Sequence, residues 1–446
     1  MKKFLAILLA LCMVFSLAAC GGGETNESKS PADNTPNSGG EQTQQPDPGQ
    51  AGGDEEIYLT LATYPVGNWG DQATLDGFIA DFNAVYPNIH VEVMLLDYTN
   101  GDDTINTAIE GGQAPDIVFE GPERLVANWG AKGLLVDLSD LTMSGTYDSV
   151  LSSSTNASGA MYELAICMTA HNMCINYDLF EAADALQYID LENHTWTTEN
   201  FFKAVQAVYD YGHTNVGAVF CSGQGGDQGT RALVTNLYGG TFANAEHTAY
   251  TASSPENVKA LEALYAQDGI NFDPSINGGE EITLFCNGTL AMAFCWNVLQ
   301  ESSEAGLAAQ FEKFPMAFPA ENGTPSLQGG IWGFGVFDNG DQARIDAAKT
   351  FIKFMTSDGE YAKAVEATKY WPVKDVAGMY EGNEIMEEYG MFAPYMGDYY
   401  QVTDGWAEAR TEWWNMLQRI GTGGDVATEL ETFQTNANAA AEAARG

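Results

Sequence analysis

An α/β fold with a mainly parallel, helix-covered sheet is the architecture the sequence predicts, and three observations predict it. Strand-like and helix-like segments alternate from Ile57 to Phe119. The body of the chain, from about Asp54 to Gly446, is long enough for two or three domains. An apolar content of 45% is ample for real cores. Ile57 to Thr63 reads as a buried strand, followed by the turn Tyr64-Pro65-Val66-Gly67-Asn68-Trp69-Gly70. Leu75, Phe78, Ile79, Phe82 and Val85 recur at spacings of three and four, so they mark a helix. Tyr86-Pro87-Asn88 stops it, because a residue before proline avoids the α region. Ile89 to Leu95 is a second strand, Thr104 to Glu110 a short helix ended by Gly111-Gly112, and Ala114 to Phe119 a third strand.

In open sheets of this kind ligands sit outside the carboxyl ends of the strands. That rule marks the loop Val66 to Asp71 after the first strand and the loop Glu120-Gly121-Pro122-Glu123 after the third.

Ahead of the body lie two segments with other work. Lys2 and Lys3 precede an apolar run, Phe4 to Leu17, which is too short to span a bilayer comfortably and reads as a signal peptide, residues 1–19. Leu17-Ala18-Ala19-Cys20 resembles the lipobox of bacterial lipoproteins, which implies lipid on Cys20. Gly21 to Gly53 carries no large apolar residue and cannot offset its chain entropy by burial. Residues 20–53 are therefore expected to be a lipidated cysteine and a disordered tether, with a reach of about 30 Å.

Charge excludes one class of function. The chain has 61 acidic and 18 basic residues, a formal net charge of −43, so it lacks the basic face a nucleic-acid binder needs. The excess acid reads as a solubility feature of an exported protein. Cys167, Cys174, Cys221, Cys286 and Cys295 are odd in number, form no CxxC and sit among apolar neighbours, so buried free thiols are expected. The five histidines show no HxH or HxxxH spacing, and neither a metal nor a cofactor is expected.

The body resembles a known family: the extracellular solute-binding proteins of ABC importers, in the group that includes maltose-binding protein. The resemblance rests on motifs in register over most of the body. They include Phe82 to Val91 with its Tyr86-Pro87, Ala114-Pro115-Asp116-Ile117-Val118, Gly133-Leu134-Leu135-Val136-Asp137-Leu138, and Met161 to Leu164 followed by Ile175 to Phe180. Trp196 to Phe201, Asn287 to Met292, Gly329 to Gly333 and Ala347 to Met355 continue the series. The chain departs from the family at Ala165-Ile166-Cys167, Ile175-Asn176-Tyr177 and Cys295-Trp296.

The resemblance implies a type II periplasmic-binding-protein-like fold, with two hinge-connected α/β lobes made from discontinuous chain. Lobe one would be residues 54–164 plus 330–370, and lobe two residues 165–329 plus 371–446. It further implies a non-catalytic receptor that is lipid-anchored on the extracellular face of the cell membrane. Such a receptor would act as a monomer, capture a sugar or oligosaccharide and deliver it to a transmembrane permease. An exported glycoside hydrolase or a ligand-sensing surface protein is the alternative. A hydrolase would need two carboxylates about 5–10 Å apart across a cleft.

Sugar recognition combines flat aromatic faces with a few placed polar groups. Asn68, Trp69 and Asp71 occupy the first marked loop, with Trp69 expected to stack and Asp71 to pair hydroxyls or to cap a helix. Glu120 and Glu123 occupy the second. His171 and Asn172 follow the first crossing strand, Trp296 and Asn297 end a strand that faces ligand in the family, and Trp332 follows the second crossing. Trp371 lies in the return loop, and Gln224, Asp227 and Arg231 lie in or beside a Gly-rich loop that lacks the P-loop ending. Trp413 and Trp414, at helical spacing with Met416, Leu417 and Ile420, are expected in the core.

Overall fold

The computed structural model describes residues 55–445 apart from 157, 220–226, 274 and 277, and only the backbone of residues 227 and 278. The signal segment, Cys20, the tether, Cys221 and Gln224 lie outside the described residues. The strands are β1 (Ile57–Thr63), β2 (Ile89–Leu95), β3 (Ile117–Glu120), β4 (Leu164–Ala170), β5 (Asn172–Asn176), β6 (Gly217–Ala218), β7 (Ile270–Asn271), β8 (Met292–Trp296), β9 (Lys313–Met316), β10 (Gly329–Val336) and β11 (Trp371–Pro372).

They form two main sheets. The first has six strands in the order β11-β4-β10-β3-β1-β2, and the second has three in the order β8-β5-β9. A separate parallel pair joins β6 and β7. In the first sheet β1 pairs with β2 and β3 in parallel, as strand–helix alternation requires. The remaining strands, β10, β4 and β11, pair antiparallel. β4 continues into β5 of the second sheet, β10 is reached from β9, and β11 lies along the edge of β4, so the sheet is mixed rather than mainly parallel.

Helix Gln72–Val85 covers one face of this sheet. Asp71 starts it, accepting the Thr74 N–H at 3.1 Å and the Thr74 hydroxyl at 2.9 Å. Leu75, Phe78 and Phe82 are its buried stripe, and Phe82 meets Phe351 and Phe354 of helix Gln342–Met355 edge-on.

Two segments cross between the sheets. β4 runs straight into β5 with only His171 between them, and β9 leads through residues 317–328 into β10. The two crossings are tied where they pass, since the His171 N–H donates to the Gln328 carbonyl at 2.8 Å. β11 returns along the edge of β4. Beyond it, helices Trp406–Gly421 and Val426–Arg445 pack on each other, and the second packs on helix Pro255–Ala266. Trp413 is buried between Phe242 and Phe433, a core position as its spacing indicates. Trp414 is only half-buried, beneath the Arg410 guanidinium. Cys167, Cys174 and Cys286 are buried free thiols, and Cys295 is buried as well.

Candidate ligand-binding cleft

The carboxyl end of β3 delivers Glu120 into a buried polar network. Its side chain is 1% exposed. Glu120 Oε1 accepts from Arg124 Nη1 at 2.7 Å, one turn along the chain. The rest of the Arg124 fork grips Asp102, through Nε at 2.6 Å and Nη2 at 3.1 Å. The Tyr64 hydroxyl also donates to Asp102. The guanidinium lies over the Tyr64 ring at 4.8 Å and near the Tyr98 ring at 5.7 Å. Burial pushes the Glu120 carboxyl well above the usual carboxylate range, against the opposing pull of Arg124.

Around this network stand groups from distant parts of the chain. Tyr98, in the loop after β2, is 38% exposed and stacks on Tyr64 with ring centroids 5.3 Å apart, and the charges of Glu120, Arg124 and Glu123 reach its hydroxyl. Trp332 of β10 stacks on Tyr370, with ring centroids 4.8 Å apart and planes 11° from parallel. The side chain of Asn297, just past β8 of the second sheet, is near enough to the Tyr370 hydroxyl to influence its titration. The Tyr399 hydroxyl donates to Glu123 Oε2 at 2.9 Å. The site therefore gathers aromatic faces and carboxylates from the first sheet and its loops, with one amide, Asn297, from the end of β8 in the second.

The sequence-marked residues divide around it. Glu120, Glu123, Asn297 and Trp332 come together there. Trp69 does not: it is fully buried, stacked on Phe119 at 4.3 Å and Phe78 at 5.3 Å, with Phe334 edge-on and its indole N–H donated to the Ala364 carbonyl at 2.9 Å. No ring face is left for a ligand, and the stacking expected of Trp69 gives way to packing. Trp296 is likewise sealed, against Phe285, with its N–H on the Tyr389 hydroxyl at 2.6 Å. Asp71 is exposed and acts as the helix cap, and Asn68 is exposed beside it.

His171 and Asn172 are buried at the crossing, and the Asn172 amide donates to the Met173 carbonyl at 2.7 Å. Arg231 is buried, with Nε 3.2 Å from the Tyr400 hydroxyl and its guanidinium 4.8 Å from the Trp406 ring centre. Trp371 lines a different cavity of about 520 Å³ with Tyr147, Met168 and Tyr380. Gln224 and the Asp227 side chain lie outside the described residues.

Sequence reading missed Tyr98, Asp102, Arg124, Tyr370 and Tyr399. Two signals were present: Arg124 stands four residues after Glu120, and Tyr98 directly follows a strand end. Among the described residues no cluster of His, Cys, Asp or Glu has the makings of a metal site, and no helix is long and apolar enough to cross a membrane.

Known structures share this architecture. An ABC transporter solute-binding protein from Thermotoga lettingae, bound with alpha-D-tagatose, superposes with a TM-score of 0.68 at 17% identity, covering 86% of this chain and 100% of that one. The cyclic alpha-maltosyl-1,6-maltose binding protein of Arthrobacter globiformis gives 0.69 at 17% identity over 87% and 100%. An ABC substrate-binding protein of Listeria monocytogenes, in complex with cycloalternan, gives 0.66 at 19% identity over 86% and 99%. At such identities the likeness is one of fold. No curated protein sequence matches significantly. The family model described as bacterial extracellular solute-binding protein matches residues 77–385. That match spans well over half of the chain, and by it the protein belongs to the bacterial extracellular solute-binding family.

Proposed function

We propose that this protein is the membrane-tethered, non-catalytic receptor of an ABC importer. It captures a sugar or oligosaccharide in the cleft between its lobes and delivers it to the transmembrane permease. The observation that carries this reading is the Trp332–Tyr370 stack set beside Glu120 and Tyr98, a flat apolar surface next to fixed polar groups. The saccharides held by the structural neighbours support the same ligand class. Lobe one is residues 54–164 plus 330–370, and lobe two residues 165–329 plus 371–446. The binding face is Tyr98, Glu120, Glu123, Asn297, Trp332 and Tyr370. Closure brings the lobes together about the His171–Gln328 crossing.

Lipid on Cys20 and the tether of residues 21–53 would hold a monomeric body at the extracellular face of the membrane. Binding without turnover is favoured over hydrolysis by the family match, which is to solute-binding proteins. A thermal-shift screen against sugars, peptides, polyamines and metal ions tests the reading, since a ligand of the folded state raises the melting temperature. A rise with saccharides, followed by recovery of the saccharide uncleaved, is the expected result. A response confined to peptides or metal ions, or cleavage of the bound saccharide, would sink it.

A further inference from the structure

Outside the cleft, a cavity of about 490 Å³ falls within the size range of small-molecule pockets. Its walls are the end of helix Asp227–Tyr238 with the loop that follows, the segment 320–328 that leads into β10, and Asp398 with Tyr400. None of the cleft residues lines it, and neither does any strand of the six-stranded sheet. The walls are braced against one another. Asn236 of the helix donates to the Ser326 carbonyl at 2.8 Å and accepts from the Ser326 N–H at 2.7 Å. Tyr400 stacks on Phe242 with ring centroids 4.7 Å apart.

Gln328 marks this cavity as a site. It lines the cavity, is 6% exposed, and gives its backbone carbonyl to the His171 N–H. Its side-chain Oε1 is buried and meets no donor among the described residues, which is unusual for a native amide. Thr235, Thr241, Thr324 and Ser326 add hydroxyl groups to the same lining. The Thr235 hydroxyl donates to the Arg231 carbonyl at 3.0 Å and keeps lone pairs with which to accept. The charged lining residues are Glu321 and Asp398, and each already faces a basic side chain, Lys259 at 3.5 Å and His247 at 2.8 Å. Among the described residues no lysine or arginine lines the cavity.

An apolar occupant would leave Gln328 Oε1 bare. An anionic one would find no cation to receive it, since the nearby Lys259 is spent on Glu321 and on the Tyr238 ring, 3.5 Å from its centre. An ammonium group only donates and a carboxylate only accepts, whereas a hydroxyl does both, as do the hydroxyls and amides of the lining. We infer that this cavity is a second ligand site, separate from the cleft, for a small neutral polyhydroxylated molecule, a sugar or an acyclic polyol, and that Gln328 receives one of its hydroxyl groups. The inference does not depend on what the cleft binds.

The test is titration calorimetry on the purified protein and on Trp332→Ala, in which the cleft stack is gone. The probes are glucose, maltose and trehalose as sugars, glycerol and sorbitol as acyclic polyols, and glucosamine and glucuronate as charged controls. At least one neutral probe should show a binding event that persists in Trp332→Ala, and both charged controls should bind there more weakly. Gln328→Met removes the acceptor and keeps the carbonyl that holds His171, so it should weaken this event by about tenfold. Thr324→Trp, at an exposed position on the wall, should abolish it by filling the space, and decides the matter should Gln328→Met misfold as judged by circular dichroism. Binding that is indifferent to both cavity variants and lost in Trp332→Ala belongs to the cleft, which would overturn the inference and leave the sugar-receptor reading standing. Tighter binding of a charged control at the cavity, or no binding of any neutral probe to Trp332→Ala, would overturn it as well.

Discussion

Trp332 and Tyr370 stack face to face at 4.8 Å, one on the crossing strand β10 and the other immediately before the edge strand β11. The contact depends on a glycine. A Cβ placed on Gly330 would lie 1.8 Å from the Trp332 ring, so only glycine lets the indole lie flat over the strand. Both residues belong to segments adjoining the crossing between the two sheets.

Trp332→Ala should cost ligand binding about 2–4 kcal/mol, roughly 30- to 1000-fold in Kd, because stacked, desolvated aromatics tend to dominate binding energy. Gly330→Ala should weaken binding in the same direction by displacing the ring without removing it. Titration calorimetry with a confirmed ligand reads both. Normal affinity in both variants would show that the stack is not part of the binding surface.

Trp69 and Trp296 should behave in the opposite way. Each is fully buried with its N–H satisfied, so replacement by Ala leaves a cavity and frees a buried acceptor or hydroxyl. The expected cost is about 3–5 kcal/mol of stability for each. Denaturant unfolding, followed separately in each lobe, should show Trp69→Ala weakening the lobe of the six-stranded sheet and Trp296→Ala the other. A variant with unchanged stability and lost binding would return that tryptophan to the cleft.

The contrast among these tryptophans shows what could be read in the sequence and what could not. β1 and β2 were legible to the residue, because apolar runs and Pro87 punctuate them locally. Glu120 and Glu123 were legible because they follow a strand end. Trp69 and Trp332 also look alike locally, each in a glycine-bracketed segment. Only Phe119 and Phe334, brought from roughly 50 and 265 residues away by sheet pairing, seal one ring while the other stays half-exposed. Arg124 was overlooked for the same reason, since its partner Asp102 is on another helix. Tyr98 sits in a polar turn, where a tyrosine that lines a cleft and one that faces bulk solvent have the same neighbours in sequence. The antiparallel pairing of β10, β4 and β11 joins segments distant in sequence, which strand–helix alternation does not encode.

Cys20 gives a prediction about location rather than binding. If lipid on this residue anchors the protein, Cys20→Ala should release the body from membranes, and its melting temperature should stay within a degree or two of the parent. Fractionation followed by a thermal melt reads both. An unlipidated variant that stays in the membrane pellet at high salt would show that something else holds it there.

Glu281 provides a test of pH dependence away from the cleft. It lies in helix Gly278–Cys286, is fully buried, and accepts the Phe294 N–H of β8 at 2.6 Å. Burial pushes its carboxyl up to about 8 from an ordinary 4.5, with backbone hydrogen bonds from Phe294 and Cys295 only partly opposing this. The folded state thus keeps a proton through a range in which the unfolded chain has lost it. With more protons bound to the folded form, stability falls as pH rises from about 4.5 to about 8, with a limiting slope of about 1.4 kcal/mol per pH unit for this one group. Glu281→Gln removes the titration and keeps a carbonyl oxygen to accept from Phe294. Other buried acids, Glu120 and Glu163 among them, titrate in both proteins, so the difference between the two stability curves isolates Glu281. That difference should grow in favour of Glu281→Gln from pH 5 to pH 8 and level off above it. Parallel curves over this range would mean that Glu281 is ionised in the folded protein and that its carboxylate is stabilised where it lies.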